Sequence, residues 1–169
     1  LMTLMAGDVA GALEAFERSD TLQPNAWAKR NLAVLRKQEL RLAHEGAETS
    51  TGLVEAFTLS PSLPLAKETC AALLQDGRYA EVIEVVEQLP VEAEAAGRLL
   101  TQYVKALLEL DRLDDVERLL LDPELEIADL REGEVLLSDL WLQLQSKLDP
   151  EGTEEPKAIP AHLDFRMKT

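Results

Sequence analysis

The chain has 169 residues, of which 46% are hydrophobic and 4% aromatic, with a formal net charge of −15. That length suits one domain or a short repeat array, and such an acidic surface repels phosphate backbones and anionic lipid, so neither nucleic acid nor a membrane surface is an expected partner. A single cysteine, Cys70, rules out an intrachain disulfide and a thiolate zinc cluster. No apolar run approaches the roughly 18 residues of a membrane span, and no alternating run bounded by turn residues reads as a strand.

In chain order the expected elements are all helices. The apolar residues are mostly Leu, Ala and Val among Glu, Lys, Gln and Arg, a composition that favours helix. Gly7-Asp8-Val9 is a tight turn before a helix over about 8–21, on which Ala12 and Phe16 share one face and Pro24 closes the unit. A long helix follows over about 26–46 and a short one over 51–59, ended by Ser60-Pro61. Helices are then expected over 65–76, 79–88, 93–110 and 113–121, with a loop from Pro123 to Glu132. The stretch from Glu132 to Leu148 places Leu137, Leu140, Trp141, Leu144 and Leu148 at helical spacing, as a terminal capping helix would, and Asp149-Pro150 stops it. The remaining 149–169 segment carries Pro156 and Pro160 and is expected to be irregular. Its alternating Leu163, Phe165 and Met167 suit either a solvated tail or a segment folded back along the last helix.

The arrangement around Phe16 returns along the chain. "DGRYAEVIEVVEQLP" has a Gly77 turn, then Val82, Val86 and Pro90, and "LDRLDDVERLLLDP" has Val116, Leu120 and Pro123. "TGLVEAFTLSP" sets Leu53 against Ala12 and Phe57 against Phe16. Successive copies are offset by 41, 29 and 34 residues. This resembles the tetratricopeptide repeat, a helix pair with A-x3-F and a closing Pro on a period of about 34 residues. The resemblance covers roughly 1–122, with the first copy good, the others degenerate and the W-x2-L-G part lacking. It implies a right-handed α-solenoid of helical hairpins over residues 1–148, ending in the capping helix. On this pattern Leu1–Ala6 reads as the stub of a first helix, so the chain is expected to continue a larger parent protein upstream.

A second resemblance lies in "DLREGEVLLSDLW" and "IPAHLDFRM", which look like the closing segments of large bacterial proteins pairing an N-terminal domain of unknown function with C-terminal tetratricopeptide repeats. The front of such a parent would resemble sugar-binding β-sandwich proteins, so an accessory role beside a carbohydrate-active or carbohydrate-binding site is the alternative expectation.

Catalytic signals are thin. His44-Glu45 lacks the second histidine of a zinc-protease helix, and His162 has Asp164 nearby but no nucleophile. Cys70 shares a face with Ala66 and Leu73 and reads as a small core residue. Asp114-Asp115 and Glu154-Glu155 are adjacent in sequence, which does not aim two carboxylates at one bond. No catalytic residue, cofactor or metal is expected, and the localisation expected is cytoplasmic.

Binding surface is the more promising place. In a repeat array the first helix of each pair lines a concave groove, which here would present Asn31, Lys67, Leu74, Arg98, Lys105 and Leu108. Three cations on that stripe within a −15 chain suit an acidic peptide or protein partner. The carboxylate clamp of chaperone-binding family members is not carried over, because Ala71 stands where the clamp would want Asn. The unpaired first helix is expected to leave an apolar patch at Ala12, Leu13 and Phe16, fit to dock on the upstream part of the parent chain or to form a homodimer of this fragment. From Glu109 to Glu155 the chain carries 16 acids against four bases, whereas Lys29, Arg30, Arg36, Lys37 and Arg41 crowd one segment. Solvated helix faces account for both runs.

Overall fold

The computed structural model describes residues 8–43, 50–90, 97–123, 125, 136–153 and 157–163. Every regular element among them is an α-helix, and none of these helices is long and apolar enough to cross a membrane. The chain divides into two compact units, Leu1–Gly77 and Arg78–Thr169.

The first unit holds α1 (Val9–Leu22), α2 (Ala26–Ala43), α3 (Thr51–Leu59) and α4 (Leu63–Gln75). Asp8 caps α1, its carboxylate accepting from the Gly11 N–H at 2.9 Å. Asn25 does the same for α2, its side-chain oxygen accepting from the Ala28 N–H at 2.8 Å. The fourth helix begins two residues before the expected start at 65. Pro64 lies in its first turn, where the missing N–H would be unbonded anyway, so the proline opens this helix rather than delaying it. Sequential helices pack on one another: α1 on α2, α2 on α3 and α3 on α4. Ala12 and Phe16 of α1 meet Leu32 and Leu35 of α2 in one cluster. Gly52 lets α3 approach α2 closely, for a Cβ there would stand 3.0 Å from the Ala33 Cβ. Buried Ser50, at the start of α3, donates its N–H to the Asp76 carboxylate at 3.2 Å and ties that end to the end of α4.

The second unit holds α5 (Tyr79–Glu87), α6 (Arg98–Glu109), α7 (Leu113–Leu120) and α8 (Leu137–Leu148). The sixth helix is central, packed on α5, α7 and α8, and α7 also packs on α8. Asp139 opens α8 by accepting from the Leu136 N–H at 3.2 Å, one half of a capping box. Val82, Val86, Val104, Leu107, Val116, Leu120, Leu140 and Leu144 form the interior. The expected helical residues 44–46, 93–96 and 132–135 and most of the expected 123–132 loop lie outside the described residues, as does His44.

Two turns are alike. Asp76-Gly77-Arg78 and Leu110-Asp111-Arg112 lie 34 residues apart, and both carry a left-handed residue, Gly77 at φ 71° and Asp111 at φ 53°. Arg78 and Arg112 follow with nearly identical backbones, φ −89°, ψ 59° and φ −82°, ψ 58°. Each arginine pairs three residues on, Arg78 Nε with Glu81 and Arg112 Nε with Asp115, at 2.6 and 2.7 Å.

Of the two arrangements open for 149–169, a solvated tail or a folded-back segment, its described part adopts the second. Asp149–Gly152 makes a turn in which the Gly152 N–H reaches the Asp149 carbonyl at 3.2 Å, with Gly152 left-handed. Residues 157–163 then lie on the second unit: Lys157 Nζ pairs with Glu117 at 3.2 Å, His162 Nε2 meets the Leu120 carbonyl at 2.8 Å, and Leu163 is 0% exposed. The segment is irregular in backbone but folded back, because its apolar residues have an interior to enter.

Candidate functional site

The most site-like place in the first unit is a groove of about 490 Å³ lined by Trp27 and Arg30 of α2, Ser60 and Ser62 of the turn between α3 and α4, and Pro64, Leu65 and Glu68 of α4. Trp27 is 53% exposed, unusual for the largest apolar side chain in a chain so poor in aromatics. Its ring leans on buried Phe16, centroid to centroid 5.0 Å and edge to face at 70°, so the exposed indole is backed by the core. Arg30 crosses to α4 in a two-bond fork, Nε to Glu68 at 2.6 Å and Nη2 to the other Glu68 oxygen at 3.0 Å. Two turns along, Lys37 Nζ reaches Gln75 at 2.7 Å. These two links clasp α2 to α4 above the shorter α3. Because Gln75 is neutral, the Lys37 charge has no counter-charge in that link.

A second groove, about 510 Å³, lies among α1, α2 and α3 and is organised by Lys29. Its ammonium reaches Glu55 at 2.8 Å and Asp20 at 3.1 Å, and these two hydrogen bonds, Glu55 foremost, raise the lysine above its ordinary 10.5. Arg36 pairs with Glu17 at 2.9 Å on the rim. Here five charges largely satisfy one another, which makes this a structural web more than an open site.

Of the residues expected in a binding stripe, Asn31, Lys67 and Leu74 lie in the first unit and Arg98, Lys105 and Leu108 in the second. Asn31 is half-buried and spends its amide on its own helix, donating to the Trp27 carbonyl at 2.7 Å while accepting from Arg30 at 3.3 Å. Lys67 is half-buried beside Glu68, Leu74 and Arg98 are half-buried, and Lys105 is exposed. Leu108 corrects the expectation: at 1% exposure it belongs to the interior. The reason is that α6 is packed from several sides, so its buried arc spans Ala106, Leu107 and Leu108 beyond the single stripe that spacing defines.

The apolar patch expected at Ala12, Leu13 and Phe16 is also corrected. Ala12 and Phe16 are 1% and 5% exposed and Leu13 packs partly buried against their cluster, since α2 covers that face of α1. Cys70 is fully buried, and desolvation pushes its thiol up to about 12. Among the described residues no group of three His, Cys, Asp or Glu side chains is placed to hold a metal ion.

Trp27, Arg30 and Glu68 were not singled out by sequence reasoning. A tryptophan at the second position of a helix, with no apolar partner at repeat spacing, was the available signal. The Arg30–Glu68 pairing depends on two helices that meet only across a third. No protein-family model, curated protein or solved structure matches the chain.

Proposed function

We propose that the chain is a non-catalytic interaction module, a short solenoid of helical hairpins resembling tetratricopeptide repeats, whose first unit takes an acidic peptide segment with one apolar anchor on its α2–α4 face. The observation that carries this is Trp27, half out in solvent where it lines a groove and backed edge to face by Phe16. An aromatic fixed before binding loses little entropy on contact and makes a natural anchor point. Lys37 and Lys67 supply positive charge along the same pair of helices, where Glu68 is already engaged by Arg30. Charge of that sign steers and orients an acidic segment. The solenoid reading draws support from the two like turns 34 residues apart.

The test is isothermal calorimetry with acidic peptides, each bearing one Leu or Phe, against charge-reversed versions. The expected result is a preference for the acidic set, a loss of tenfold or more for Trp27→Ala, consistent with about 2 kcal/mol at a buried anchor, and a smaller, salt-dependent loss for Lys37→Glu. Equal binding of both peptide sets, or an unchanged Trp27→Ala, overturns the reading.

A further inference from the structure

The described tail segment is held in a way that a simple end-cap does not require. Lys157 places its ammonium on Glu117 of α7 and its carbonyl before the Trp141 indole N–H of α8 at 3.5 Å. Five residues on, His162 meets the carbonyl of Leu120, and Leu163 is wholly enclosed. Between these anchors Ala158 and Ala161 are exposed, and Ile159 and Pro160 are half-buried. Among the described residues, the stretch makes a backbone bond within itself, Leu163 N–H to the Pro160 carbonyl at 2.9 Å, which closes a turn. Side chains at two ends therefore fix an irregular segment that finishes in a turn, as a short peptide is held by a receptor.

The groove's own groups explain the choice of sequence. Leu120 is the last residue of α7, where helix carbonyls lack partners and the dipole favours a cationic or N–H-bearing group. Glu117 adds a carboxylate one turn earlier, and the second unit as a whole holds 22 acids against ten bases. The docked segment 157–163 is basic by contrast, its formal charge being that of Lys157.

We infer that the α7–α8 face is a peptide-docking site for short segments with a basic residue at one end, an Ile-Pro middle and a His-Leu turn at the other, and that residues 157–163 are its resident ligand in cis. A partner segment of this chemistry binds only when the tail is displaced, so the tail regulates the site by occupancy. The inference concerns the second unit alone and stands apart from the reading of the Trp27 groove.

The experiment uses the 169-residue chain and a fluorescein-labelled peptide with the sequence of residues 157–163, followed by anisotropy. The variant Lys157→Glu/Leu163→Ala weakens the resident segment and leaves the groove intact; it is expected to take up the peptide at least tenfold more tightly than the unaltered chain. Adding Glu117→Lys to that variant is expected to remove the gain. Lys157→Glu alone, which touches one exposed ion pair and leaves the interior whole, is expected to show a smaller gain. Equal peptide affinity for all chains overturns the inference, as does a double variant that keeps its far-UV circular dichroism yet takes up no peptide. Loss of helix in the double variant, together with no gain for Lys157→Glu, makes the segment part of the fold and overturns it as well.

Discussion

Lys29 holds two carboxylates from two different helices, and its removal leaves both without a cation. One oxygen of Asp20 is buried with no donor even in the intact chain, so this carboxylate depends on Lys29 for what compensation it has. Lys29→Met is expected to lower stability by about 1 kcal/mol, the low end for a stranded polar group because the site is partly wet. Urea midpoints of Lys29→Met, Asp20→Asn and the double variant measure it, and additive effects would show that no coupling exists. The pH dependence follows from the raised lysine value. The stabilisation is fully present below the ordinary 10.5, where folded and unfolded lysine are both charged, and it lapses as pH climbs through the higher folded-state value. Cys70 gives a second check. Its thiol, raised to about 12 and fully enclosed, should not react with a water-soluble disulfide reagent at pH 8 except at the rate of opening. Prompt labelling in the native chain would place it elsewhere.

The like turns at Gly77 and Asp111 show what an element boundary costs. Both residues sit in the left-handed region, free to glycine and costing other residues roughly 1 kcal/mol or more. Gly77→Ala is expected to destabilise by about 1 kcal/mol, and nothing stands within 4 Å of a Cβ there, so strain alone would be read. Asp111→Gly relieves the strain but gives up the exposed Lys147 pair at 2.6 Å, so a net gain below about 1 kcal/mol is expected. Thermal midpoints of the two variants should move in opposite directions. Much of this level was legible in the sequence. Gly77 announces its turn, and the spacing from Val82 to Val116 carries the second copy, where Asp takes over the glycine's place. The start of α4 is two residues earlier than apolar spacing suggests, because Pro64 fits a first helical turn as readily as it precedes one. Leu108 was misplaced because periodicity finds one stripe and cannot count how many helices lean on it. The Arg30–Glu68 clasp was beyond reach, since its partners are 38 residues apart and meet only through the stacking of α2, α3 and α4.

Over the whole molecule the charge is unevenly shared. The first unit carries ten acids and seven bases, the second 22 and ten, so most of the net −15 resides in the second. Self-repulsion of that size acts against a compact state and is screened once the Debye length falls from about 30 Å at 0.01 M salt to about 8 Å at 0.15 M. Added salt is therefore expected to raise amide-exchange protection in α5–α8 more than in α1–α4. A uniform response, or a loss centred on α5–α8, would mean that ion pairs such as Arg112–Asp115 outweigh repulsion there. The helical character of the described residues and the acidity were both readable from composition. The two-unit division was not, because Asp76-Gly77-Arg78 looks in sequence like any other turn of the series.

The two tryptophans fall one to each unit, Trp27 half in water and Trp141 only 2% exposed. The chain thus carries two native optical channels of different colour: a red-shifted, quencher-accessible emission from the first unit and a blue-shifted, shielded one from the second. Acrylamide should extinguish the former first and leave a spectrum that follows the second unit alone, without any label or substitution.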